Sequence, residues 1–117
     1  HPIVPLSQIK FLFNLDMIAD NNPKQYCEFN DVAMDGYALF EKINAEKGYF
    51  EALDRHELDE NSDHWPFAKK NVPVVFFMNE HGDAYKYYHT VHDTYQNHIS
   101  TNYEPSFKII EDFIKRY

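Results

Sequence analysis

Two stretches far apart in the chain carry the side chains best suited to chemistry. Phe11-Leu12-Phe13-Asn14-Leu15-Asp16-Met17-Ile18 is an apolar run with a carboxylate near its end. Tyr87-Tyr88-His89-Thr90-Val91-His92-Asp93-Thr94 is a loop-like stretch rich in His and Asp. A carboxylate on a buried strand is costly unless it is paired or bound to metal. Asp16 therefore reads either as a ligand or as the cap of the next turn. Imidazole and carboxylate together suit zinc. Seven histidines invite that reading, but most have a plainer account. His1, His56, His81 and His98 lie in polar or terminal segments and read as surface residues, while His92 stays open. The sequence has no His-x-x-x-His pair on a helix and a single cysteine, Cys27, so it holds no compact zinc signature. Asp16 and His89 alone supply two ligands, where structural zinc takes four and catalytic zinc three plus water.

The elements that must position these residues follow from patterning. Ile9 to Ile18 is apolar on both alternating faces apart from Lys10, Asn14 and Asp16, which predicts a strand covered on both sides. Asp16 then falls near its carboxyl end, where open α/β sheets place their ligands. Asp20-Asn21-Asn22-Pro23 marks a turn, and Gln25 to Phe29 suits a short strand. A helix is predicted from Ala33, with Tyr37, Phe40, Ile43 and Asn44 on one face, Asp31 or Asp35 as its cap and Gly48 as its stop. Tyr49 to Leu53 reads as an exposed strand, and the charge-dense Asp54 to His64 as a solvated loop. Ser62-Asp63-His64 before Trp65-Pro66-Phe67 marks the start of a short helix. Val72 to Met78 predicts a second central strand, with a turn at Asn79–Asp83 and the His89 loop directly after it. Asn102 to Tyr117 closes the chain as a helix with Pro105 in its first turn and an apolar stripe of Phe107, Ile110, Ile114 and Tyr117, widened by Ile109 and Phe113. Two central strands would thus bring their carboxyl ends to one rim of the sheet, where Asp16 and His89 can converge.

Composition bounds the function. The 117 residues form one domain at most, rich enough in apolar residues to build a core. A net charge of −8 argues against nucleic acid. No apolar run reaches the roughly 20 residues of a membrane span, and no stretch reads as a signal peptide. Entry into a core strand within about ten residues of His1 reads as a piece of a longer chain.

Asn14-Leu15-Asp16-Met17-Ile18, Ser62-Asp63-His64-x-Pro66-Phe67, Val72-Pro73 and Tyr88-His89-Thr90-x-x-Asp93-Thr94 occur in that order with short spacers. Together they resemble the C-terminal half of the di-zinc aminopeptidases, a family similar to glutaminyl cyclases and to the peptidase-like domain of transferrin receptor. The resemblance implies an α/β fold: a partial three-layer α/β/α sandwich around a mostly parallel or mixed sheet, the C-terminal portion of a zinc-exopeptidase (phosphorylase/hydrolase-like) domain over residues 1–117. It implies that Asp16 ligates one zinc and His89 the other. Asp63 and His64 become second-shell or substrate-pocket residues, with helix capping as the plainer alternative. Tyr88 flanks the ligand, and Asp93 orders its loop. Ala19 stands where many members have Gly, a mild departure at a turn. The larger departure is that nothing before Asp16 supplies the family's upstream His, bridging Asp and Glu-Glu pair. The expectation is therefore a peptide-hydrolysing domain whose N-terminal half is missing. Such a fragment would be inactive alone, apo or partly occupied, and prone to dimerise or swap strands through its open sheet. The family also favours a secreted or periplasmic setting. Two other readings are a single-zinc acyltransferase of the glutaminyl-cyclase kind and a non-catalytic peptidase-like binding domain. The second would be expected to lose its ligands.

Overall fold

The computed structural model describes residues 3–18, 24–78, 87–94, 96–97 and 103–117. Among these residues four strands form one sheet: β1 (Leu12–Asp16), β2 (Lys24–Phe29), β3 (Ala52–His56) and β4 (Val74–Met78), in the order β1-β4-β2-β3. β1 runs parallel to β4 and β2 parallel to β3, while β2 and β4 are antiparallel. The sheet is thus mixed. Three α-helices accompany it: α1 (Met34–Lys47), α2 (Trp65–Ala68) and α3 (Glu104–Arg116).

Alternation along the strands sorts the layers. Phe13, Cys27, Phe29, Leu53, Val75 and Phe77 meet α1 and α3 in the main core with Phe40, Ile43, Ile109 and Phe113. Phe40 of α1 stacks on Phe113 of α3 at 4.2 Å and 8°. The other face carries Leu12, Val74, Val72, Ala68, Trp65 and Phe67, so α2 and the entry residues Leu6 and Ile9 cover it. This gives helix, sheet and helix in three layers, as expected of an α/β domain.

Several local expectations shift. β1 is shorter than predicted, because Met17 turns into left-handed backbone at φ 55°. It lies at an edge of the sheet among the described residues, with Leu15 44% exposed. β3 falls three residues later than predicted, so Asp54–His56 form a charged edge strand where a solvated loop is expected. Neither Asp31 nor Asp35 caps α1, whose N-cap is Ala33 after a 3-10 turn over Asp31–Ala33. Gly48 does end α1 in the left-handed region at φ 65°. Asn44, predicted on its apolar face, instead clasps both backbone groups of Phe50 at 2.9 Å.

In α3 the buried line is Ser106, Ile109 and Phe113. Phe107, Ile114 and Tyr117 of the predicted stripe are 63%, 64% and 54% exposed. The helix tilts its other flank to α1 through Tyr49–Asp112 and Arg116–Glu46 contacts. Of the predicted stripe, Ile109 and Phe113 lie in the main core and Ile110 packs against it, Tyr117 meets the Phe11 ring at 5.3 Å, and Phe107 and Ile114 face outward. Turns at Asp20–Pro23 and Asn79–Asp83 lie outside the described residues.

Candidate metal centre

Asp16 ends β1 and is exposed. Parallel pairing sets it beside Met78, the last residue of β4, so the two carboxyl ends do share one rim. Register extends the row: Asp16, Met78, Tyr26 and Asp54 are successive cross-strand neighbours. The end of β4 is pinned from below by Gln25, a fully buried polar residue. Its amide donates to the carbonyls of Met78 and Tyr26 at 3.0 and 2.9 Å and accepts from the Ser106 hydroxyl at 2.8 Å. One side chain thereby ties α3 to the strand end next to Asp16.

His89 is exposed in its loop, with its ring stacked on Tyr88 at 3.9 Å. Two side chains shape this loop. Thr90 donates its hydroxyl to Tyr87 O at 2.7 Å and accepts from His92 N–H at 3.2 Å, and Asn97 donates to His92 O at 2.8 Å. Asp93 is exposed and contributes its backbone N–H to Thr90 O at 3.1 Å. Sequence reasoning assigned the ordering to Asp93 and missed Thr90, although a Thr beside a turn is a standard local hydrogen-bonding device.

Among the described residues three non-glycines adopt left-handed backbone: Met17, Asn71 and His89. Asn tolerates that region in turns, and Asn71 closes the turn into β4. The other two sit at, or directly after, the two candidate ligands. Such backbone costs on the order of 1–3 kcal/mol per residue and clusters at functional sites.

The Ser62-Asp63-His64 segment leads directly into α2. Asp63 is exposed. His64 is fully buried and stacks on Phe76 at 4.8 Å. It occupies the N-cap position of α2 without a side-chain cap bond, and its ring donates to Asp59 O at 2.9 Å instead. Beside it lies Glu28, 1% exposed and 3.8 Å away. Nothing in the pattern of Lys24–Phe29 marks Glu28 or Gln25 as interior. His56, read as a surface residue, stacks on Tyr26 at 4.1 Å. Its buried Nε2 has no hydrogen-bond partner among the described residues and lies 3.5 Å from an Asp54 carboxylate oxygen, close without being aligned. His1, His81 and His98 lie outside the described residues.

Burial pushes the Cys27 thiol up to about 12, aided by the Asp54 carboxylate, and the thiol lies in the main core. Carboxylate oxygen and imidazole nitrogen suit zinc in kind. Among the described residues no group of three or more His, Cys, Asp or Glu side chains converges to hold a metal ion. The donors present thus fit part of a zinc site.

The mixed sheet between helical layers defines an α/β domain, with Asp16 at the carboxyl end of β1. The match of a family model, Peptidase family M28, over residues 1–114 makes the assignment specific: the chain belongs to that family of zinc-dependent peptidases. No curated protein and no solved structure matches the chain.

Proposed function

We propose that this chain is the C-terminal half of a di-zinc aminopeptidase domain, in which Asp16 holds one zinc and His89 the other. The observation that carries the reading is the paired left-handed backbone at Met17 and His89, which sets both candidate donors at sharp bends. The parallel β1–β4 pairing supports it by opening both strands on one rim. When bound, zinc polarises a scissile carbonyl and supplies hydroxide at neutral pH. The chain's own part is to hold the ions and frame the peptide with Asp63 and Tyr88. The general base and the bridging carboxylate belong to a preceding half.

The open edge of β1 and the exposed flank of α3 receive that half, a secreted or periplasmic protein in this reading. In its absence they pair with a second copy. Zinc titration by calorimetry tests the assignment. Weak binding is expected, lost in both Asp16→Asn and His89→Ala, and the chain alone should release no anilide from aminoacyl-anilides. Chelator-sensitive hydrolysis by the chain alone, or zinc binding indifferent to both substitutions, refutes it.

A further inference from the structure

Glu28 and His64 are side chains that the zinc reading leaves without a role, yet both are fully buried on the face opposite α1 and α3. Burying a carboxylate is costly unless its oxygens are satisfied. Here each oxygen accepts one bond, Oε1 from the Tyr26 hydroxyl at 2.8 Å and Oε2 from the Asp59 N–H at 2.7 Å. His64 Nε2 donates to the Asp59 carbonyl at 2.9 Å. Both backbone groups of Asp59 are therefore gripped by this pair. With Nε2–H spent there, Nδ1 is the acceptor that Asn14 Nδ2 faces at 3.4 Å. The same Asn14 amide donates to Ser62 Oγ at 2.8 Å. The turn from Asp59 to His64 is thus fastened to β2 at one end and to β1 at the other. Register places Asn14, Phe76 and Glu28 in one cross-strand row, two residues along the strands from the row that carries Asp16 and on the same face.

We infer that Glu28 is a positioning residue: with His64 it clamps the Asp59–His64 turn to the sheet, and through Asn14 it fixes the end of β1 where Asp16 and the left-handed Met17 stand. Its consequence for metal rests on the zinc reading above. The clamp works through an acceptor, not through a charge, because the His64 proton already goes to a carbonyl. A carboxamide at position 28 can do the same, its oxygen taking the Asp59 N–H and its amino group donating to the Tyr26 oxygen.

Amide exchange by NMR on the 117-residue chain, with zinc calorimetry beside it, tests this in Glu28→Ala and Glu28→Gln. In Glu28→Ala, exchange at Asp59–His64 and Asn14–Met17 should rise about tenfold or more, with α1 and α3 little changed. Glu28→Gln should restore protection, and the His64 ring should keep its Nε2–H signature in nitrogen spectra. Zinc affinity should fall with the alanine and return with the glutamine. Equal lability of the two variants shows that the ionised carboxylate is required and overturns the inference. Loosening spread evenly over α1 and α3 makes Glu28 an ordinary core residue and overturns it as well. Should Glu28→Ala fail to fold, Ser62→Ala removes the shorter of the two contacts between the turn and Asn14 without opening the core. It should raise exchange at Asn14–Met17 and spare Asp59, and unchanged exchange at Asn14–Met17 sinks the proposal. If the wild-type chain binds no zinc, the zinc reading fails, while the exchange pattern still decides the role of Glu28.

Discussion

Replacing Ser106 by Ala deletes one oxygen and leaves a buried acceptor without its donor. Ser106 is 1% exposed and Gln25 0%, and their bond spans 2.8 Å between α3 and β2. With the hydroxyl gone, Gln25 Oε1 faces the core unsatisfied, which costs about 1–3 kcal/mol. A domain of 117 residues has a total stability of about 6–18 kcal/mol, so the loss is a substantial share. It corresponds to a melting point lowered by about 4–12 °C. Urea unfolding and calorimetry measure it, with an unchanged denaturant slope confirming that the same cooperative unit unfolds. Gln25→Leu should cost more, since Gln25 also donates to the Met78 and Tyr26 carbonyls. In the double variant the two costs should fall short of additivity by about 1 kcal/mol. A Ser106→Ala loss below about 0.5 kcal/mol, or strictly additive costs, would show that this bond does not tie α3 to the rim.

Other outcomes follow from the same contacts. A Cβ at Gly36 would overlap the Phe11 ring, which is held by Phe13, Phe113 and Tyr117, so Gly36→Ala should destabilise by about 1–2 kcal/mol despite its better helix propensity. A melt as high as wild type would mean that the ring moves freely. On the alkaline side stability should fall between pH 9 and 12, because burial raises Cys27 from 9.0 and Tyr37 from 10.0 to about 12 each, the latter with help from its bond to Glu41. A folded-state pKa above the unfolded one protects only while the group stays protonated, so Cys27→Ala should remove the part that starts at pH 9, about 1.4 kcal/mol per pH unit in the unfolding curve. Lysines in place of Phe107 and Ile114 should leave stability within about 0.5 kcal/mol and reduce light scattering from self-association. A large loss of stability would place that flank inside the fold.

The apolar runs and the residues that stop helices were legible in the sequence. Val74–Met78 reads as a strand because nothing polar interrupts it, and Gly48 and Pro105 stand where the observed helices end and begin. What escaped was interior polarity. Gln25, Glu28 and His64 are buried because partners from distant segments satisfy them, and no local pattern records such partners. The apolar flank of α3 was read too broadly for a related reason. Its apolar residues cover more of its circumference than the core needs, so periodicity alone does not say which line is buried. For the candidate site, the strand-end position of Asp16 was readable, whereas the left-handed backbone at Met17 and His89 was not, since neither is a residue that advertises that conformation.

The register of the sheet also dictates an order of assembly. β2 and β3 pair across 28 positions, from Lys24 to Ala52, while β1 waits 62 positions, from Leu12 to Val74, for β4. Distant pairings form slowly, because the intervening loop must close first. During synthesis β1 therefore leaves the ribosome without its β4 partner and stays so until the 62 intervening positions have followed. Chaperone capture or aggregation of nascent chains should centre on that segment, and chains halted before Val74 should be the most vulnerable.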